Sequence, residues 1–285
     1  MLIAITVICI TFIPTACMER SHRSPEGYNL RHAKSFQLGK ELVEISGIVY
    51  NDDDTSLLAI SDNKEKIYQI DLKTKKLKDY TKKFAGLYDY EDIVKIKDSA
   101  YVLISDGTII AVPKNAKDST STVRYPFWSE AKNDFETLYH DPSVNALIMI
   151  CKTCEHEKGE EIRTAYKFDL TSRSFDSTEF YTISIDSVKA IIRNDDANFK
   201  PSAAAIHPIN KQLFILTSAG QLLVITDLSG NVLQVFALHP DRHPQAEGIA
   251  FAPDGTMFIS NEGKYGKSTL QIFAYKILPG KEQKK

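Results

Sequence analysis

The sequence predicts an all-β protein: a β-propeller of four-stranded antiparallel blades, five in number. Three observations predict it. One pattern of strand, turn, apolar strand, turn and strand recurs about every 45 residues along the 285-residue chain. The middle strand of each unit (Leu57–Ile60, Val102–Ile104, Leu147–Ile150, Leu213–Leu216, Met257–Ile259) is almost wholly apolar. Such short apolar runs fit strands covered on both faces by neighbouring sheets. Finally, the last unit is one strand short, and a stretch near the start of the chain has no unit of its own.

The units follow in order. The first opens at Glu44 with "EISGIVYNDDDTSLLAISD", the second at Glu91 with "EDIVKIKDSAYVLISDG", and the third at Glu136 with "ETLYHDPSVNALIMICK". The fourth opens at Ser202 with "SAAAIHPINKQLFILTSAG" and the fifth at Glu247 with "EGIAFAPDGTMFISNEGK". Their first turns, "NDDD", "KD", "HDPS", "HPIN" and "APDG", fall at one place in the unit and carry the residues that turns require. A more polar fourth strand follows, as in "STVRYPF" and "NVLQVFAL". The fifth unit ends after three strands, and "YNLRHAKSFQL" (Tyr28 to Leu38) supplies the missing one. Pairing the N-terminal strand with the last blade closes the ring and removes its open edges. The interval from Glu136 to Ser202 is longer than the others. It contains "TISIDSVKAIIRNDDANF", where Ile185, Val188, Ile191 and Ile192 recur at helical spacing. A short helical insertion accounts for the extra length, and a sixth blade is the alternative.

The N-terminus is of another kind. Leu2 to Ile13 is apolar apart from two threonines, too short to span a bilayer but suited to the core of a signal peptide. "IPTAC" resembles a bacterial lipobox, in which a small residue precedes a cysteine that takes the lipid, although Pro14 stands where leucine is usual. The organisation that follows is a signal peptide over 1–16, lipidated Cys17 with a polar tether over 17–27, a single propeller over 28–278 and a polar tail over 279–285. An ordinary cleaved signal and an uncleaved anchor are the alternatives. The lipidated form places the protein in the cell envelope, held by Cys17 on a bacterial membrane and facing the periplasm or the cell surface.

With Cys9 in the signal and Cys17 lipidated, the folded part retains Cys151 and Cys154, a C-x-x-C in "MICKTCEHEKGE". In an oxidising compartment this spacing reads first as a local disulfide. A redox pair, a zinc site completed by His156, and free thiols are the other readings. The formal charge of −2 gives no basic surface for nucleic acid. The lysines of "DLKTKKLKDYTKKF" lie among apolar residues at strand-like spacing and read as a solvated strand face, with an anionic-surface patch as the alternative.

The acidic residues are the candidate site. In a propeller the innermost strand of each blade starts at one mouth of the central channel, and the next strand ends there. Glu44, Glu91, Glu136 and Glu247 stand at strand starts, with Asp62, Asp106, Lys152, Ser218 and Asn261 at the strand ends. Carboxylates crowded in a poorly hydrated channel must protonate or share a cation. Oxygen ligands favour Ca²⁺ over zinc, with Glu44, Glu91, Glu136, Glu247, Asp62, Asp106 and Asn261 as candidate ligands. Recurrence in several blades equally suits a structural role, each acid accepting backbone N–H groups of the neighbouring blade. His140 and His207 lie in equivalent first turns, at the opposite mouth. His239 and His243, in "LHPDRHPQAEG", read first as part of an exposed polar loop near the acidic mouth, with one of them as a general base the alternative.

"EISGI", "YEDI", "FKPSAAAIHP" and "QAEGIAFAPDGTMFISNEG" resemble the SdiA-regulated family of bacterial propellers over Leu38 to Tyr275. The resemblance implies a propeller, a loose relation to calcium-dependent propeller lactonases and phytase-like propellers, and no established reaction. Ser202 stands where other units have Glu, and Thr rather than Gly follows Glu136. Two functional classes are therefore expected. The first is a cell-envelope binding or scaffold protein with an acidic, calcium-binding mouth and a small-molecule, glycan or protein ligand held on loops such as Lys152 to Ile162. The second is a calcium-dependent hydrolase of an ester, lactone or phosphoester.

Overall fold

The computed structural model describes residues 24–263 and 267–276. The signal segment, Cys17 and the polar tail lie outside the described residues. Five four-stranded antiparallel sheets form the ring. Blade 1 comprises β2 (Ile45–Asn51), β3 (Ser56–Ser61), β4 (Tyr68–Asp71) and β5 (Leu77–Asp79). Blade 2 comprises β6 (Tyr90–Ile96), β7 (Ser99–Ile104), β8 (Ile109–Pro113) and β9 (Val123–Tyr125). Blade 3 comprises β10 (Asn133–Asp141), β11 (Ala146–Cys154), β12 (Ile162–Asp169) and an outer edge split into β13 (Ser174–Phe175) and β14 (Tyr181–Ser184). Blade 4 comprises β15 (Ala203–Ile206), β16 (Leu213–Thr217), β17 (Leu222–Thr226) and β18 (Val232–Ala237). Blade 5 takes β19 (Ala246–Phe251), β20 (Met257–Asn261) and β21 (Thr269–Phe273), with β1 (Lys34–Gln37) as its outer strand.

The apolar second strands hold the ring together because alternate side chains leave opposite faces of a strand. In β3, Leu57 and Ala59 join the cluster between blades 5 and 1, while Leu58 and Ile60 join the one between blades 1 and 2. In β11, Leu147 and Met149 face blade 2, and Ala146, Ile148 and Ile150 face blade 4. The same division in β16 and β20 completes five clusters, one at each blade boundary. A charge on either face of a second strand would therefore enter a core.

The long third interval yields β14 and a helix, α1 (Ile185–Ile192), rather than a sixth blade. Ser184 caps α1 by accepting the Ser187 N–H at 3.1 Å, and Arg193 ends it in a left-handed conformation. Ile185 and Val188 pack onto the cluster between blades 3 and 4. The first turn of every blade also holds one left-handed residue just before the second strand: Thr55, Lys97, Asn145, Lys211 and Gly255. Only Asn145 and Gly255 take that conformation readily.

Ring closure is as the sequence predicts. β1 pairs antiparallel with β21, Lys34 opposite Ile272 and Gln37 opposite Thr269. Tyr28, just upstream, is a buried latch. His207 Nε2 and the Tyr28 hydroxyl are 2.7 Å apart, and that hydroxyl donates to the Gly255 carbonyl at 2.5 Å. His207 Nδ1 accepts the turn amides of Ile209 and Asn210, so Nε2 carries the proton. Burial pushes the His207 pKa down to about 4, which keeps the ring neutral. Tyr28→Phe strands a buried N–H and a buried carbonyl. It is expected to cost about 1–3 kcal/mol, lowering the melting temperature by roughly 2–4 °C for each kcal/mol.

Candidate functional site: an acidic channel mouth

Near the mouth, the first strands of blades 1, 2, 3 and 5 lose register with their partners. The shifts fall between Ile45 and Ile48, Tyr90 and Ile93, Phe135 and Thr137, and Ala246 and Gly248. Such β-bulges re-aim side chains that would otherwise enter a blade interface. Counting from paired residues on either side places Glu91, Glu136 and Glu247 at equivalent positions, with Ser46 and Ser202 in the other two blades. At the second-strand ends the equivalent residues are Asp62, Ser105, Lys152, Ser218 and Glu262. The bonds Asp62 N to Glu44 O (3.0 Å), Ser105 N to Asp89 O (3.1 Å) and Glu262 N to Gln245 O (2.8 Å) mark this level of the mouth.

The predicted residues are thus partly rearranged. Glu91, Glu136, Glu247 and Lys152 converge. Lys152 Nζ is ion-paired with Glu136 and lies 4.0 Å from Asp134. Glu44 stands two residues ahead of the ring position held by Ser46. It belongs instead to a second acidic group, with Asp62 and Glu262, and its carboxylate accepts from Asn63. Asp106 is exposed in the turn after β7, where it accepts the Thr108 N–H at 2.8 Å. Asn261 is fully buried, its amide directed to Gln271 at 3.3 Å, and the neighbouring Glu262 takes the place at the mouth. The bulges and a one-residue offset at the strand ends decide which residues face the channel.

Asp92, beside Glu91, makes the blade-to-blade contact expected of the glutamates. It is buried, and its carboxylate accepts the Ile93 N–H at 2.8 Å and, across the boundary, the Leu138 N–H at 2.9 Å. Ser202 does the same between blades 4 and 5, donating to the Ala246 carbonyl at 2.8 Å.

The electrostatics of the mouth show a deficit of positive charge. Burial, then the charges of Glu136 and Asp89, raise the Glu91 pKa to about 10. Burial and Glu136 raise that of Glu247 to about 8, against the pull of Ser218 and Lys152. Burial raises Glu136 as well, with its bond to Lys152 opposing. Burial works against the Lys152 ammonium, yet the Glu136 carboxylate holds it above the ordinary lysine value. On the other side of the mouth, burial and Glu44 raise Asp62 to about 6, and burial and Asp62 raise Glu262. Below the mouth the channel holds a cavity of about 180 Å³, lined by Ile48, Ile93, Leu138 and Ile249 and, towards the turn face, by Lys95 and His140. Beside it a cleft of about 1070 Å³ opens between the β11–β12 loop and the segment after α1, and Asp134 borders both cleft and mouth.

Several oxygens near the mouth have no hydrogen-bond partner: Ser46 Oγ, Ser61 Oγ, Asp62 Oδ1 and Asn261 Oδ1. Oxygen donors left unpaired beside half-buried carboxylates suit a hard cation such as Ca²⁺. Cys151 and Cys154 are joined as a disulfide, with Cα atoms 5.8 Å apart. Although Cys151 lies near His156 and Glu157, its sulfur is thereby occupied, and Glu157 pairs with Arg163 at 3.2 Å. His243 is buried and stacked on Phe273, in the core between blades 4 and 5, with burial holding its pKa near 4. His239 Nδ1 accepts the Asp241 N–H at 3.2 Å within its own loop.

Five blades closed through the first strand, with carboxylates gathered at one end of the channel, define a five-bladed β-propeller with an acidic mouth. The chain belongs to the SdiA-regulated family, whose sequence profile matches residues 27–265. No curated protein matches it. Among solved structures it is similar to glutaminyl cyclase from Myxococcus xanthus, with a TM-score of 0.55 and 12% identity over 86% of this chain and 97% of that one. It is similar also to a luciferin-regenerating enzyme, with a TM-score of 0.53 and 10% identity over 85% and 95%. A calcium-binding protein, regucalcin, from Agrobacterium tumefaciens strain C58 gives 0.51 and 12% over 89% and 96%. At these identities the likeness is one of fold.

Proposed function

We propose that the protein is an exported, lipid-anchored binding protein of the cell envelope whose channel mouth holds a divalent cation, Ca²⁺ by its oxygen donors. The observation that carries the reading is the convergence of Glu91, Glu136 and Glu247 around Lys152. A cation there supplies the missing positive charge and displaces the protons that Glu91 and Glu247 otherwise retain. The adjoining cleft, bordered by the β11–β12 loop, is where a ligand approaches the bound ion. Export and anchoring rest on Leu2–Ile13 and "IPTAC".

The test is thermal unfolding of residues 18–285 after chelation, titrated with Ca²⁺, Mg²⁺ and Zn²⁺. An ion that binds only the folded state stabilises it by about 2.7 kcal/mol at a hundredfold excess over Kd. A rise with Ca²⁺ that is lost in the Glu91→Gln, Glu247→Gln double variant supports the reading. A melting curve indifferent to all three ions overturns it.

A further inference from the structure

The antiparallel order of the strands gives the ring two distinct ends. The first strands start at the acidic mouth, so the turns between first and second strands, and between third and fourth, lie on the opposite face. β1 runs from that turn face towards the mouth, since Lys34 pairs with Ile272 near the end of β21 and Gln37 with Thr269 at its start. Everything upstream of Lys34 therefore joins the ring on the turn face. Tyr28 is fixed there against the first turns of blades 4 and 5, through His207 and Gly255. Leu30 N donates to Ser24 Oγ at 2.9 Å, and Lys276 N to Gly27 O at 2.9 Å, so both ends of the described chain leave from this side.

Six residues lie between Cys17 and Ser24, a reach of at most roughly 25 Å when fully extended. A lipid on Cys17 thus keeps the turn face close to the bilayer. The charge distribution favours the same orientation. Arg31, Lys73, Lys117, Arg173 and Lys211 are exposed on the turn face. Asp53 there pairs with Lys95 and Lys114, and the remaining acids, exposed Asp52 and Asp98 among them, roughly balance the basic residues, so this face is near neutral. The opposite face carries Glu44, Asp62, Asp89, Asp106, Glu155 and Glu160. An anionic lipid surface repels the acidic side more than the near-neutral one.

We infer that the turn face of the ring is a membrane-apposed surface, and that the acidic mouth opens away from the bilayer. This rests on the anchored reading above. It gives the mouth a ligand drawn from the aqueous compartment and not from the membrane.

The only tryptophan in the chain, Trp128, is 52% exposed and lies along the outer edge of blade 3, its Nε1 donating to the Asp176 carbonyl at 3.0 Å, so it reports on neither face; Glu160, exposed in the β11–β12 loop, stands on the mouth side. Val144, 38% exposed, lies in the first turn of blade 3, on the turn face. The full lipidated chain is reconstituted into phosphatidylethanolamine and phosphatidylglycerol vesicles whose headgroups carry a spin-label quencher. Both reporters are introduced into a Trp128→Phe background: Glu160→Trp is expected to keep its emission and Val144→Trp to lose most of it. Because Trp128 Nε1 donates to the Asp176 carbonyl at 3.0 Å, Val144→Trp with Trp128 retained provides a second form, in which emission falls below that of the wild type. Quenching at position 160, or no quenching at position 144, overturns the orientation. Flotation with the vesicles is scored in parallel: a wild-type chain that fails to float, as Cys17→Ala must, overturns the anchoring instead.

Discussion

With no cation bound, Glu91→Gln is expected to raise the melting temperature at pH 9 and to leave it nearly unchanged at pH 5. The Glu91 carboxyl has a folded pKa near 10 and an ordinary value near 4.5, so across that interval the folded state holds a proton that the unfolded state has released. Stability contributed at this site is therefore greatest below about pH 4.5 and declines as pH rises towards 10. Glu247, with a value near 8, adds a second decline that ends earlier. Glutamine keeps the shape of the protonated acid and does not ionise. The gain at pH 9 is on the order of 2–4 kcal/mol, or roughly 5–10 °C in a domain of this size. Saturating Ca²⁺ should reverse the order of the two proteins, because the ion replaces the protons in the wild type and finds a weaker donor in the variant. Melting curves at the two pH values, with chelator and with Ca²⁺, give all four numbers. Parallel pH profiles for the two proteins would show that Glu91 ionises freely and that the mouth has no charge deficit.

Asp92→Ala is expected to be the most damaging single substitution near the mouth. The carboxylate accepts the Leu138 N–H across the boundary of blades 2 and 3, and it also accepts from Ile93. Removing it leaves two buried N–H groups unpaired and a void against Gly47, whose position lies within 2.7 Å of the Asp92 Cα when a Cβ is placed on it. The combined cost is about 2–4 kcal/mol, close to 10 °C in melting temperature. The loss should be the same with and without Ca²⁺. That independence separates Asp92 from Glu91, one residue away, and a calcium-dependent loss at Asp92 would place it among the ligands.

The blades were legible because burial on both faces leaves a mark in composition, in "LLAI", "LIMI" and "LFIL", and because turn residues recur at fixed places around each such run. The helix over Ile185–Ile192 and the closing strand were legible for related reasons, one from its spacing and one from the strand missing in the fifth blade. What could not be read was the side of the strand on which each acid emerges. Glu91 and Asp92 are adjacent, yet one faces the channel and the other enters a blade boundary. Period-two geometry makes a single-residue slip decisive, and a bulge introduces such a slip without any composition of its own. Asn261 and Glu262 show the same ambiguity, as do Ser105 and Asp106. A glycine or small residue after the acid, as in Gly248, was the only hint of close approach, since a Cβ there would meet Ser260 Oγ.

The pairing of β1 with β21 also sets the timetable on which this molecule is made. Lys34 is among the first residues of the ring to be synthesised and Ile272 among the last, so the fifth sheet cannot assemble until nearly the whole chain exists. Until then nothing covers the core faces that blades 1 and 4 turn towards blade 5. Contacts of such long sequence separation form late and slowly. A chain that stays open until its end arrives remains threadable, and only afterwards becomes a closed ring with its two ends tied together.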